Sequence, residues 1–190
     1  MLLSQKTAII QMGCGHEIAP DTMSAQEDTM KVQDVMTKTV ASCRPDENLA
    51  AAAALMWDYN CGQLPVVDDQ GKVTSVITDR DICIALGTRN QRASQVKVCE
   101  VVCRPAVLCT ANDDLRSALG TMAAERVRRL PVVDHEGVLV GILSLEDVTL
   151  QARHHGDTDR PPVSFEDVMR TLRAIYYRVS RSEVHQPAAA

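Results

Sequence analysis

Two short stretches, ITDRDI at 77–82 and LSLEDV at 143–148, carry the residues best suited to chemistry. Each contains a hydroxyl, two spacers and an aspartate: Thr78-x-x-Asp81 and Ser144-x-x-Asp147. A carboxylate accepts hydrogen bonds from vicinal sugar hydroxyls, and a helix start attracts anions. The same spacing is also a capping box, in which hydroxyl and acid satisfy the first free N–H groups of a helix. Ser164-Phe165-Glu166-Asp167 repeats the spacing after a Pro pair and serves as an internal control. Spacing alone leaves both readings open for the first two. Their context differs from the control, because each ends an apolar run that reads as a strand, and ligands collect at strand ends.

A second candidate group is basic. Arg126, Arg128 and Arg129 precede one LPVV, where Asn60, Gly62 and Gln63 precede the other. Guanidinium groups bind phosphate bidentately. They also make solvated patches and dimer salt bridges, and the sequence does not choose. If they do form a site, the cleft near the second LPVV is the better phosphate site. Arg80 could assist in the first stretch, whereas Glu146 in the second would repel phosphate.

Catalytic patterns are lacking. There is no GxSxG, P-loop, HExxH or Cys–His constellation, so an enzyme is not expected. The seven cysteines form no CxxC pair, and Cys99 with Cys103 makes only two ligands of a metal site. They read as free structural thiols of a reducing compartment, with redox switching through Cys14, Cys99 or Cys103 as the alternative. His16, His135, His154, His155 and His185 are scattered, so no metal site is expected.

The elements that must position these groups come in two copies. Residues 32–83 align without a gap on 98–149, with thirteen of 52 positions identical. LPVVDDQG at 64–71 against LPVVDHEG at 130–137 is the densest match. Each copy predicts the order β-α-β-β-α. Short strands are expected at Thr39–Cys43 and Ala106–Cys109, and helices capped by Asp46 and Asn112 that run to about Tyr59 and Arg126. Gly62 is the expected residue after the first helix. Gly71 and Gly137 supply the positive φ of tight hairpins, and final helices open at Asp79 and Leu145. A last helix over 165–179 has Val168, Met169, Leu172, Ile175, Tyr176 and Val179 on one face. That stripe is expected to pack on the repeat or on a dimer mate.

Composition bounds the class. The 190 residues carry net charge −5, are 45% hydrophobic and only 3% aromatic, and include one Trp. With no basic run and no aromatic–basic interleaving, nucleic acid is not an expected partner. No apolar run nears a membrane span and the start lacks a secretory pattern, so a cytoplasmic protein is expected. The expected division is a flexible tail at 1–29, repeats at 30–96 and 97–154, a linker at 155–163, a helical segment at 164–181 and a tail at 182–190.

The repeat resembles a tandem pair of cystathionine-β-synthase-type (CBS) domains, a Bateman module. The resemblance is carried by VQDVMTKTV and VCEVVCRPAV before each first strand, LPVVD-x-x-G in each hairpin, and the endings SVITDRD and GILSLED. It covers about 32–153 and is similar to small stand-alone bacterial members. It implies an α+β fold in which two β-α-β-β-α repeats pack sheet to sheet, with clefts between them for AMP, ADP, ATP, NAD or S-adenosylmethionine. It also implies that Asp81 and Asp147 hold ribose and that Thr78 and Ser144 contact ribose or phosphate. Lys38, Thr39 and Val40, with Arg104, Pro105 and Ala106, would line base pockets that the segment before LPVV closes. A homodimer, no obligatory cofactor, and a regulatory role read by an unknown effector protein follow from the same resemblance. The alternative is a ligand-free scaffold or redox-responsive interaction protein.

Overall fold

The structure, a computed structural model, describes residues 30–102, 104–153 and 162–177. The expected tails at 1–29 and 182–190, most of the 155–163 linker and the end of the last helix beyond 177 lie outside the described residues. So do Cys14, Cys103, His16, His154, His155, Val179 and His185.

The first copy runs α1 (Leu49–Asp58), β1 (Gln63–Val67), β2 (Val73–Thr78) and α2 (Asp79–Arg89). The second runs β3 (Cys109–Thr110), α3 (Leu115–Glu125), β4 (Arg129–Val133), β5 (Leu139–Ser144) and α4 (Leu145–Gln151), and α5 (Phe165–Tyr176) follows. The fold is α+β, with helices packed on two small sheets. β1 and β2 form one antiparallel ladder, and β4 pairs antiparallel with β5 and parallel with β3. The expected first strand is shorter than its apolar run in both copies. In copy one it shrinks to a single parallel bridge from Cys43 to Val66.

Local chemistry sets most boundaries. Asn48 and Asp114, not Asp46 and Asn112, cap α1 and α3, accepting from the N–H groups of Ala51 and Ser117. The correct pair is also two equivalent residues, so the repeat could not reveal the two-residue error. Asn60 and Arg126, at φ of 49° and 56°, take the left-handed position after the helices, and Gly62 does not. Gly71 and Gly137 turn the hairpins at φ of 77° and 85°, conformations a Cβ disfavours. Buried Leu49, Ala52 and Met56 recur at helical spacing on α1, as Leu115, Ala118, Leu119 and Met122 do on α3.

The copies exchange their leading segments. Val32, which precedes copy one, is buried in the core of copy two with Leu115, Met122 and Leu143. Val96 and Val98, which precede copy two, are buried in the core of copy one with Leu49, Leu64 and Ile77. The segments are held by backbone. Val32 N–H donates to Asp113 and Leu49 N–H to Val96, at 3.0 and 2.9 Å. Thr37 and Ile142 exchange two hydrogen bonds of 2.9 Å, which adds the leading segment of copy one to the edge of β5. Gly141 makes room, since a Cβ there would stand 2.7 Å from the Met36 sulfur and 3.0 Å from the Thr37 carbonyl oxygen. The hairpin turns also meet, Val73 N–H on Gly137 and Leu139 N–H on Gly71 at 3.2 and 3.1 Å.

Candidate functional site

The two strand-to-helix motifs fold alike. Thr78 donates to Asp81 Oδ2 from its N–H at 3.0 Å and its hydroxyl at 2.6 Å, and Asp81 N–H returns a bond to the hydroxyl at 3.2 Å. Ser144 and Asp147 repeat this with 3.0, 2.6 and 3.0 Å. Both are therefore true capping boxes. The control Ser164–Asp167 is one too, at 3.0, 2.8 and 3.2 Å.

The second carboxylate oxygen separates them. Asp167 has ion pairs on both oxygens, Oδ2 with Arg116 at 3.3 Å and Oδ1 with Arg170 at 3.6 Å. Burial pushes its carboxyl up, but the N–H and hydroxyl of Ser164 and the two arginines outweigh this and hold it below the usual carboxylate range. Oδ1 of Asp81 and of Asp147 accepts no hydrogen bond or ion pair among the described residues. Two of the three caps thus keep an acceptor in reserve, and the third is fully committed.

A cleft of about 150 Å³ lies between the copies. Thr39, Val40, Cys61 and Gln63 of copy one line it with Ile142 and Arg129 of copy two. Gln63 is the ladder partner of Thr78, so the Asp81 motif starts at the strand end that walls this cleft. The Thr37–Ile142 bridge draws the leading segment across to β5, which pairs with β4 and so brings Arg129 alongside.

The expected residues divide accordingly. Thr39, Val40, Gln63 and Arg129 meet in one cleft. Lys38 and Arg80 are exposed and do not line it. The carbonyl of Gly62 accepts from Asp79 N–H at 3.1 Å, behind the lining. Arg104, Pro105 and Ala106 run along β2, through a Ser75–Pro105 bridge and a 3.3 Å bond from Ala106 N–H to Thr74.

The three arginines, for which the sequence left a phosphate site and a solvated or salt-bridged patch both open, go to separate places. Arg126 ends α3 in a left-handed conformation, Arg128 donates to the Tyr176 hydroxyl at 3.3 Å, and Arg129 pairs with Glu146 at 3.1 Å. Arg128 lies in the bend before β4 and Arg129 is the first residue of the strand, and the two go to different partners. Arg129 faces the cleft built on the leading segment of copy one, not a cleft of copy two's own. Its pairing also answers the Glu146 charge that would repel phosphate. Sequence reasoning missed Thr37, Ile142, Tyr59 and Cys61 as lining residues, because pairing between copies leaves no local pattern.

Among the described residues no helix is long and apolar enough to cross a membrane. Buried Cys43 and Cys109 occupy equivalent core positions. Burial, aided by Glu47 and Asp113 respectively, pushes each thiol up to about 12.

Known proteins share this architecture. The chain is 40% identical over 119 residues to the CBS domain-containing protein YhcV of Bacillus subtilis, spanning 63% of this chain and 83% of that one. It is 32% identical over 155 residues to inosine-5'-monophosphate dehydrogenase of Methanocaldococcus jannaschii, covering 77% of this chain but only 29% of the enzyme. The match to that enzyme takes in only its CBS part. A solved structure of CBSX2 in complex with AMP superposes with TM-score 0.56 and 25% identity, over 63% of this chain and 93% of that one. The sequence profile of the CBS domain matches twice, at residues 32–88 and 98–152. The chain therefore belongs to the CBS domain family, as a tandem pair.

Proposed function

We propose that this chain is a non-catalytic regulatory module that binds an adenosine-containing ligand in the cleft between its repeats. A change in how the copies pack would pass the bound state to an effector protein. The observation that carries this reading is the cleft itself. It is walled by both copies, has an arginine on one side, and includes Gln63, the ladder partner of the Thr78 that opens the Asp81 cap. The proposed roles are Asp81 on ribose hydroxyls, Thr39 and Val40 against the base, and Arg129 on phosphate. Asp147 and Ser144, with Arg104, Pro105 and Ala106, are the matching set for a second cleft. AMP bound to the related CBSX2 pair supports the ligand class. The module works in the cytoplasm as a homodimer.

The cleft holds a base or a sugar, not a whole nucleotide, since sites for drug-sized ligands run from roughly 300 Å³ upward. Binding therefore widens it or leaves the phosphate over the mouth beside Arg129. Either way a ligand touches both copies, and differential affinity for two packings is what regulation requires. The small volume is also the observation on the side of a ligand-free scaffold. Thermal melting decides between them. A ligand at about 100 times its Kd adds roughly 2.7 kcal/mol and raises the midpoint by about 5–10 °C. The expected result is such a rise with one of AMP, ADP, ATP, NAD or S-adenosylmethionine. No rise with any of them overturns the ligand reading.

A further inference from the structure

Of the side chains that line the cleft between the copies, Arg129 alone carries a charge. That charge is already shared. One terminal nitrogen of its guanidinium donates to Glu146 Oε1 at 3.1 Å, and Arg129 is the more buried partner, 28% exposed against 58%. The pair sums to zero, so the lining brings no net positive charge to a ligand.

The helix starts beside it are acidic. Gln63 and Arg129 hold equivalent places in the two copies, and both line the cleft. Their ladder partners are Thr78 and Ser144, which cap α2 and α4. The first turns of those helices carry Asp79 with Asp81 and Glu146 with Asp147. Arg80 is the one basic residue among them, and it is exposed and outside the lining. Lys38 is also exposed and outside it, between Thr37 and Thr39 in the chain. One phosphate can use the donors of Arg129 that Glu146 does not hold. A second and a third would have no further cation in the lining, while four carboxylates stand at the two helix starts.

We propose that the cleft favours an adenosine ligand with one phosphate over its di- and triphosphate homologues, and that Glu146 sets this preference. The proposal rests on the adenosine-ligand reading above and adds which member of that class fits. Glu146 is a specificity residue that works by opposing the wrong ligands. By holding one nitrogen of Arg129 it limits the anionic charge the cleft can match, and its own carboxylate repels the excess. Because Glu146 is more than half exposed, salt screens the effect.

The test is calorimetric titration of the full chain with adenosine, AMP, ADP and ATP, without magnesium so that each nucleotide keeps its own charge. The wild-type chain should bind AMP most tightly and ATP roughly tenfold more weakly, with ADP between them. Glu146→Gln should narrow the gap between AMP and ATP by roughly fivefold and leave adenosine binding unchanged, and about 0.5 M NaCl should narrow the wild-type gap as well. Unchanged adenosine affinity and circular dichroism show that the variant is folded. If ATP binds the wild-type chain as tightly as AMP, or the gap survives Glu146→Gln or salt undiminished, the proposal is wrong while the ligand reading stands. Binding of NAD or S-adenosylmethionine without any of the three nucleotides has the same meaning. A chain that binds none of these compounds sinks both.

Discussion

Asp81 binds Thr78 through one carboxylate oxygen: Oδ2 takes the N–H at 3.0 Å and the hydroxyl at 2.6 Å, and Oδ1 has no partner among the described residues. A cap that needs one oxygen and offers another can serve the helix and a ligand together. Asp167, with ion pairs on both oxygens, cannot do so without giving up a partner.

Asp81→Asn should therefore affect ligand more than fold. Hydrogen bonds to a charged group contribute about 1.5–3 kcal/mol, so the Kd for the ligand found by melting should rise roughly 10- to 100-fold. Stability without ligand should fall by about 1 kcal/mol or less. Calorimetric titration of the variant checks the first, and urea denaturation the second. An unchanged Kd makes Asp81 a cap and nothing more.

Asp167 predicts the opposite pattern, with a defined pH dependence. Its carboxyl is held below the usual range, so its contribution is complete above the unfolded carboxylate pKa of about 4. That contribution is lost as pH falls through the lower folded value, because the unfolded chain then binds the proton first. Asp167→Asn should be less stable than wild type at pH 7, and the gap should close below about pH 4. Urea midpoints across that range test the sign. The ligand-induced rise in melting temperature should be unaffected.

Gly141→Ala should loosen the crossing between copies. The new methyl would meet the Met36 sulfur and the Thr37 carbonyl, and overpacking of this kind costs about 1–3 kcal/mol. Met36 can move aside, but the Thr37 carbonyl is held by its bond from Ile142 N–H at 2.9 Å. Urea denaturation should show the loss, and Gly141→Ala/Met36→Ala should recover only part of it. Full recovery would mean that the carbonyl contact is slack.

The thiols should separate by burial. Cys43 and Cys109, buried and pushed up to about 12, carry almost no thiolate at neutral pH. Cys83 and Cys99 are exposed. Brief alkylation at neutral pH followed by peptide mass spectrometry should mark Cys83 and Cys99, and reach Cys43 and Cys109 only after denaturation. Labelling of Cys43 in the native protein would show that the first core opens readily.

What the sequence determined by itself was local or duplicated. Hairpins at Gly71 and Gly137, caps at Thr78, Ser144 and Ser164, and the buried stripe of α3 follow from interactions within a few residues. The gapless repeat added that the halves fold alike, and its motifs marked the family. Even locally there was ambiguity: Asp46 and Asn48 are both good caps, and only the bond from Ala51 N–H selects the second. Tertiary structure decided everything that joins the copies. Val32 and Val98 are identical because each fills the other copy's core, and a sequence shows the identity without the exchange. Arg128 and Arg129 are neighbours in the chain and go to different partners, Tyr176 on α5 and Glu146 on α4, which only the packing of those helices decides. Arg129 reaches the cleft of copy one through the Thr37–Ile142 bridge, a contact between residues more than 100 apart. Whether Thr78-x-x-Asp81 differs from Ser164-x-x-Asp167 turned on one oxygen atom. Arg170 reaches Asp167 by its i,i+3 spacing on α5, which the sequence carries, while Arg116 comes from α3 and is placed there by packing.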